Sequence, residues 1–215
     1  MEKNQLKISE IFYSLQGEST YVGLPTVFVR LTGCPLRCTW CDTEYAFSGG
    51  QWIEIDAIIE KIKSYGTPYV CVTGGEPLSQ KRCINLLDKL ADNGFNVSLE
   101  TSGALSLANV NDKVTIIMDL KAPGSGEESK NLYENINYID SKDQIKFVIK
   151  DRKDYHWTQT IIKRYNLIDK CEVLLSPVAG EINPADLAQW ILDDKMLVRF
   201  QLQLHKILWH DAKGK

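Results

Sequence analysis

The chain has 215 residues, of which 44% are hydrophobic and 25% are charged, and its formal net charge is -3. These values are typical of a globular protein with a buried core, and the small negative charge does not favour a nucleic-acid-binding surface. No apolar run approaches the ~20 residues needed to cross a bilayer. Residues 1–10 lack the apolar centre of a signal peptide, so we expect a cytoplasmic protein that does not bind membranes.

Apolar, β-branched runs alternate along the chain with segments of helical pattern. In chain order, the pattern predicts a strand at 26–31, a helix at 56–64, a strand at 69–73, a helix at 79–93, strands at 96–100 and 114–120, a helix at 127–138, a strand at 144–149, a helix at 153–165, a strand at 172–176, a helix at 184–194 and a strand at 198–204. This alternation predicts an α/β fold, with a mostly parallel sheet and helices outside it. Because the strands are too few to close an eightfold barrel, we expect a single domain over residues 1–215 that forms an open partial (β/α) barrel.

Polar and glycine-rich segments follow five of the predicted strands. They lie at 33–43, 74–77, 101–103, 121–123 and 177–180. In parallel α/β folds, ligands bind at the carboxyl ends of the strands. The placement therefore predicts an enzyme active site at one edge of the sheet.

Three of the six cysteines, Cys34, Cys38 and Cys41, form a C-x3-C-x2-C pattern after the first predicted strand. Structural zinc needs four ligands, and no histidine precedes His156. A four-iron cluster normally takes four thiolates, so three would leave one iron open for a substrate or cofactor. The pattern favours an iron–sulfur cluster over zinc. The remaining cysteines are predicted to be small buried residues: Cys71, Cys83 and Cys171.

The cysteine loop, with Trp40 before its last cysteine, resembles the signature of the radical S-adenosylmethionine (radical SAM) superfamily. A second segment, Gly-Gly-Glu-Pro at 74–77, is similar to the GGEP motif of that superfamily. The resemblance implies a [4Fe–4S] cluster with SAM on its open iron. The glycines would let the backbone approach SAM closely, and polar groups of the motif would receive its ammonium group.

Other segments resemble one family within the superfamily, the 7-carboxy-7-deazaguanine synthases. They lie at 12–18, 25–34, 41–43, 100–103 and 203–206, so the resemblance extends over nearly the whole chain. It implies ring contraction of 6-carboxy-5,6,7,8-tetrahydropterin to 7-carboxy-7-deazaguanine with loss of ammonia, on the route to queuosine and other 7-deazapurines. The implied mechanism begins when a 5′-deoxyadenosyl radical takes hydrogen from C6 of the pterin, and it ends with SAM regenerated. The family also implies a homodimer and a low-potential electron donor such as flavodoxin or ferredoxin.

The same resemblance assigns site residues. Expected pterin contacts are Leu15, Gln16, Gly17, Glu18, Arg30, Thr73 and His205. Expected SAM contacts are Trp40, Asp42, Gly75, Asp119, Lys121, Ser176, Pro177, Val178 and Ala179. Arg30 would hold the substrate carboxylate with its planar fork, and Thr43 would bind a Mg²⁺ ion that bridges this carboxylate to the protein.

Each assignment has a simpler alternative. Residues 15–18 could form a polar loop without a binding role, and Arg30 could make a structural ion pair. The polar groups at the strand ends could be ordinary surface polarity, and Thr43 could cap a turn. The chain also departs from the family pattern, since Asp119 and Leu120 replace the Ser-Pro of some members and residues 207–215 extend beyond His205.

Two other functions stay open at this point. An activase of glycyl-radical enzymes would share the cysteine loop and GGEP, but activases commonly have Asn or His where this chain has Asp42. A non-catalytic iron–sulfur or zinc protein is disfavoured by GGEP and by the clustering of polar segments after strands.

Overall fold

The computed structural model describes residues 4–210, 212, 214 and 215, and its centre is one sheet of nine strands. The strands are β1 (Gln5–Leu15), β2 (Pro25–Leu31), β3 (Gln51–Glu54), β4 (Tyr69–Gly74), β5 (Asn96–Thr101), β6 (Thr115–Asp119), β7 (Gln144–Ile149), β8 (Glu172–Pro177) and β9 (Arg199–Phe200). The α-helices are α1 (Ile55–Lys63), α2 (Cys83–Asp92), α3 (Arg152–Tyr165), α4 (Pro184–Asp193) and α5 (Leu204–Trp209). None of the helices in this part of the chain has the length and apolar character that a membrane span needs.

The strands lie side by side in the order β3-β1-β2-β4-β5-β6-β7-β8-β9. Every pairing from β2 to β9 is parallel, whereas β1 runs antiparallel to both of its neighbours. The two outermost strands, β3 and β9, do not pair with each other, so the sheet does not close. The predicted α/β fold with an open, mostly parallel sheet is confirmed.

Alternation along the strands separates an outer core from an inner cavity. In β2, Val27, Val29 and Leu31 are fully buried in the core, whereas Phe28 and Arg30 line the cavity. Successive strand side chains point to opposite faces, so one strand serves both surfaces. Helix α1 covers the outer face with isoleucines spaced along one side: Ile55, Ile58, Ile59 and Ile62.

The predicted helix at 127–138 is wrong, because polar side chains there bond to neighbouring loops. The segment forms two short 3-10 helices, Glu128–Lys130 and Tyr133–Tyr138. Between them, the Asn131 side chain accepts from Lys121 N at 2.8 Å and donates to Lys121 O at 2.9 Å. Such bonds compete with a continuous helix.

Two other boundaries differ from the prediction. Helix α2 begins only at Cys83, because Gln80 bonds through its side chain to the backbone of Lys7 and Thr32. The strand predicted at 198–204 shrinks to β9, and α5 begins at Leu204. The sequence pattern also missed β1 and β3, which extend the sheet beyond β2.

Replacing Asn135 by Ala should destabilise the fold strongly. Asn135 is fully buried and holds the loop after β5 through Leu107 N at 3.0 Å, Gly103 O at 2.9 Å and Leu105 O at 2.8 Å. Because the variant leaves these buried groups unpaired, we expect the free energy of unfolding to fall by about 2–3 kcal/mol. Urea unfolding measures it. Asn93→Ala is the control, since exposed Asn93 makes one side-chain bond to Lys89 O, and an equal loss in both variants would contradict the prediction.

Candidate active site

The carboxyl ends of the parallel strands surround a cavity of about 310 Å³, a volume typical of small-molecule sites. The loop between β1 and β2, the cysteine loop after β2 and the segment around α5 complete its wall. All but one of the predicted site residues line it: Leu15, Gln16, Gly17, Glu18, Arg30, Cys34, Cys38, Trp40, Cys41, Asp42, Thr43, Thr73, Gly75, Asp119, Lys121, Pro177, Val178, Ala179 and His205. The exception, Ser176, is buried one position before this part of the wall. The structure thus brings these residues together, and their individual roles stay predictions.

The cysteine loop is held from several directions. Arg37 Nη1 donates to Cys34 O at 2.8 Å, and its guanidinium lies 4.2 Å from the centre of the Phe47 ring. On the other side, Thr39 donates through N and Oγ1 to the backbone of the Gly124–Ser125 turn, at 3.1 Å and 3.0 Å. These contacts fix the loop that carries the three thiols.

The three thiols of Cys34, Cys38 and Cys41 are free, half-buried and close enough to interact electrostatically. Burial raises the pKa of each thiol, and the nearby Lys121 ammonium opposes that rise in all three. A bound metal centre stabilises the thiolate form, which is the form that ligates iron. The other three cysteines are buried and away from this loop, as predicted.

The donor set fits a cluster better than a single ion. Among the residues that the structure describes, no three His, Cys, Asp or Glu side chains lie close enough together to hold one metal ion. Each thiolate of a cubane binds a different iron, so cluster ligands stand farther apart than the ligands of zinc.

The cavity wall beside the cysteine loop also has unpaired polar atoms that could bind a polar ligand. Asp119 Oδ1 and Ser176 Oγ, at the ends of β6 and β8, are buried and have no hydrogen-bond partner within the described part of the chain. Buried polar atoms are normally paired. Both residues were predicted SAM contacts; Asp119 lines the cavity and offers it an acceptor, whereas Ser176 lies directly behind the wall residue Pro177.

Gly75 packs the end of β4 against the cysteine loop. A Cβ at this position would lie 2.5 Å from Gly33 O and 2.7 Å from Cys34 Cβ. The backbone at Gly75 therefore packs closely against the cysteine loop itself, in addition to any contact that it makes with a ligand.

The side chain of Glu76 links the segment after β4 to the end of β5. Its fully buried carboxylate accepts from Leu78 N at 3.0 Å, Thr101 Oγ1 at 2.9 Å and Ser102 N at 2.7 Å. Because these bonds occupy the carboxylate, the ammonium group of SAM would have to be received by backbone groups of residues 74–77.

The turn after β1 presents an amide and a carboxylate to the cavity. Gln16 Nε2 donates to Glu100 Oε1 at 3.1 Å, and Gln16 Oε1 accepts from Glu18 N at 3.1 Å. Burial alone would raise the pKa of Glu18, but the Lys146 ammonium and a hydrogen bond from Gln203 outweigh it and lower that pKa overall. Glu18 is therefore ionised.

The segment around α5 closes over this turn. Leu204 N donates to Gly17 O at 2.9 Å, and a Cβ on Gly17 would lie 2.2 Å from His205 Nδ1. Glycine is needed at 17 because the backbone and His205 share this space. Gln203 Nε2 adds a bond to Glu18 Oε1 at 2.7 Å.

Arg30 makes the structural ion pair that the sequence left open, and it also faces the cavity. Its Nε donates to Glu10 Oε1 at 2.7 Å, and its guanidinium lies 5.9 Å from the ring centres of Phe12 and Tyr45. Glu10 also accepts from Tyr45 OH at 2.7 Å. The bond to Glu10 uses the Nε edge, so the two terminal nitrogens can still bind a carboxylate as a fork.

Thr43 lies at the cavity beside Asp42. It precedes the 3-10 helix Glu44–Phe47 but makes no side-chain capping bond, so the capping alternative lacks support. Instead its Oγ1 donates to Asp42 Oδ1 at 2.8 Å, which leaves the oxygen lone pairs for another ligand. Burial would raise the pKa of Asp42, but Lys206, Thr43 and Lys146 lower it to about 2.

Within the described part of the chain, seven polar residues of the cavity wall were not among the predicted contacts: Glu100, Thr101, Ser102, Lys146, Gln203, Lys206 and Lys215. Glu100 carried a signal, since it ends the third predicted strand and begins the segment 100–103 that resembles the family. Lys146 also carried one, since it is the only charged residue in an otherwise largely apolar strand. Gln203 and Lys206 also carried one, since they belong to the segment 203–206 that resembles the family and contains His205.

The chain is similar to known proteins over nearly its whole length. Residues 28–165 match the model of the radical SAM superfamily. A 7-carboxy-7-deazaguanine synthase of Chlorobaculum tepidum is 42% identical, with 97% of each chain covered. One of Koribacter versatilis is 41% identical, with 97% of this chain and 100% of the relative covered.

Solved structures support the fold. The crystal structure of QueE from Escherichia coli has a TM-score of 0.76 at 23% identity, covering 94% of this chain and 95% of the other. Streptococcus suis SuiB bound to S-adenosylmethionine has a TM-score of 0.56 at 14% identity, covering 80% of this chain and 45% of the other.

Serine in place of Cys34, Cys38 or Cys41 should abolish cluster binding, because each thiolate holds a different iron. Iron and sulfide analysis after anaerobic reconstitution measures this. Serine variants of the three buried cysteines are the matched controls and should retain iron in their folded fraction. A full cluster in Cys38→Ser would contradict the assignment.

Gly75→Ala should lower cluster content, because the added methyl group displaces the backbone of the cysteine loop. The measurement is iron bound per folded protein. Gly94→Ala is the control, since the φ of 79° at Gly94 is strained for alanine but no atom lies within 4 Å of an added Cβ. It should lose stability and keep its iron; unchanged iron in Gly75→Ala would show that the loop can move aside.

Proposed function

Because the chain belongs to the 7-carboxy-7-deazaguanine synthase family of radical SAM enzymes, we propose that it converts 6-carboxy-5,6,7,8-tetrahydropterin to 7-carboxy-7-deazaguanine. The reaction contracts a ring and releases ammonia, on the route to queuosine and other 7-deazapurines. The observation that carries this function is that the cysteine loop and the Gln16–Glu18 turn line one cavity. The relatives favour a synthase over an activase of glycyl-radical enzymes.

The enzyme uses a [4Fe–4S] cluster and SAM, which together supply the radical chemistry that activates a substrate C–H bond. Cys34, Cys38 and Cys41 hold the cluster. Backbone groups at 74–75, the unpaired atoms of Asp119 and Ser176, and the apolar wall at 177–179 bind SAM. This places the cofactor between the cysteine loop and the ends of β6 and β8.

The substrate lies on the opposite side of the cavity, against the Gln16–Glu18 turn. An amide and a carboxylate match the donor and acceptor edge of a pterin. Arg30 holds the substrate carboxylate through its terminal nitrogens, while Glu10 fixes its Nε edge. The stacked rings of Phe12 and Phe28, 4.9 Å apart, give this wall an apolar surface that excludes water.

Thr43 is a ligand of Mg²⁺ in this proposal. Its hydroxyl proton is directed to Asp42, so the oxygen can face a cation. Mg²⁺ prefers oxygen ligands and commonly takes only one or two from a protein, with substrate and water completing the shell. The ion would join the substrate carboxylate to the cysteine loop and so fix the position of C6.

The electron donor is a flavodoxin or ferredoxin, and the protein acts as a cytoplasmic homodimer of single-domain chains, with residues 207–215 as an extension. The electron donor and the homodimer rest on the family alone.

Activity is the direct test of the function. Anaerobically reconstituted and reduced enzyme is incubated with SAM, Mg²⁺ and carboxytetrahydropterin, and the deazaguanine product is followed by mass and ultraviolet absorption. Cys38→Ser is the control and should form none. Cleavage of SAM without any deazaguanine would contradict the proposed substrate.

Thr43→Ala should lower activity and remove its dependence on Mg²⁺, because the protein ligand is lost. Turnover over a Mg²⁺ titration measures this, with cluster content and SAM affinity unchanged. Thr160→Ala is the control, since Thr160 is exposed on α3, bonds to His156 O and does not line the cavity. A wild-type Mg²⁺ response in Thr43→Ala would remove Thr43 from the metal site.

A further inference from the structure

Lys146 is a charged residue inside the barrel wall. On β7, its neighbours Ile145 and Phe147 are fully buried in the outer core. Lys146 therefore points the other way, to the cavity that it lines. Its side chain is only 13% exposed, so its charge needs partners inside the protein.

Two carboxylates surround this ammonium group. Lys146 Nζ lies 2.6 Å from Glu18 Oε2 and 3.6 Å from Asp119 Oδ2, and Lys121 Nζ lies 3.0 Å from the same Asp119 atom. Burial would lower the pKa of Lys146, but Glu18 and Asp119 outweigh it and raise that pKa well above its usual range. The lysine is therefore a fixed cation and not a proton donor.

The bond to Glu18 determines the shape of the substrate turn. The other carboxylate oxygen of Glu18 accepts from Gln203 Nε2, and the backbone N–H of Glu18 donates to Gln16 Oε1. Gln16 in turn donates to Glu100. Without the ammonium group, the Glu18 carboxylate would be buried with Gln203 as its remaining side-chain partner, and it would either take up a proton or turn away.

We propose that Lys146 is a positioning residue for substrate recognition, which holds Glu18 ionised and oriented towards the donor edge of the pterin. This inference rests on the proposed function and adds a residue that touches no substrate itself. It acts only through Glu18, so its effect must disappear when Glu18 has no charge to hold.

The experiment measures the affinity of the folded, cluster-loaded enzyme for 6-carboxypterin by titration calorimetry, with SAM and Mg²⁺ present. Lys146→Met should weaken binding at least tenfold, and Lys146→Arg should recover part of the loss because it keeps the charge. Lys142→Met is the matched control, since Lys142 also pairs with two carboxylates, Asp140 and Asp143, but does not line the cavity. It should bind like the wild type.

A double variant separates positioning from direct contact. Glu18→Gln and the double variant Glu18→Gln with Lys146→Met should bind 6-carboxypterin within twofold of each other, because the lysine no longer has a charged Glu18 to orient and its other partner, Asp119, is an expected SAM contact. The double variant also removes the unpaired buried carboxylate, so it serves if Lys146→Met alone does not fold.

Each outcome decides between the two claims. Wild-type affinity in Lys146→Met would overturn the inference and leave the proposed function standing. So would a further loss of affinity when Lys146→Met is added to Glu18→Gln, because the lysine would then act other than through Glu18. Absence of 6-carboxypterin binding by the wild type would overturn the proposed function, and with it the inference.

Discussion

The parallel pairing of β2 with β4 is the constraint on which the site depends. Its register sets Leu31 opposite Gly74, so the two strands end at the same level. Glu76 N then donates to Gly33 O at 2.8 Å, which joins the segment after β4 to the cysteine loop. The next three parallel strands end at the same edge and add polar groups to the cavity: Glu100 and Thr101 from β5, Asp119 from β6 and Lys146 from β7. Strand direction thus brings the cysteine loop and these polar groups to one edge of the sheet, where the turn after antiparallel β1 and the segment around α5 complete the cavity wall.

The parts of this arrangement that could be predicted are those encoded over short distances. The strand at 144–149 was predicted with its observed bounds because four of its six residues are apolar and three of these are β-branched. The cysteine spacing and the glycine at 75 were equally local. Even so, the contact that makes Gly75 necessary involves Gly33 and Cys34, which are distant in sequence, so the sequence could indicate the residue but not its reason.

The parts that could not be predicted depend on contacts between distant segments. The helix predicted at 127–138 failed because Asn131 and Asn135 bond to loops after β6 and β5, and no helical pattern reveals such partners. The strand predicted at 198–204 failed because Gln201 and Gln203 turn towards Ser19 and Glu18 instead of extending the sheet. In both cases, tertiary hydrogen bonds overrode local propensity.

The bond between Ser19 and Gln201 has a consequence for biosynthesis. Ser19 N donates to Gln201 Oε1 at 2.7 Å, and the two residues are 182 positions apart. At roughly 5–20 residues per second, a ribosome needs about 9–36 s to make the chain between them. The turn around Ser19 therefore waits for nearly the whole polypeptide before it acquires its partner, whereas the cysteine loop meets β4 much earlier. A ribosome stalled before residue 201 would carry a chain that has its cysteine loop but an unfinished substrate wall.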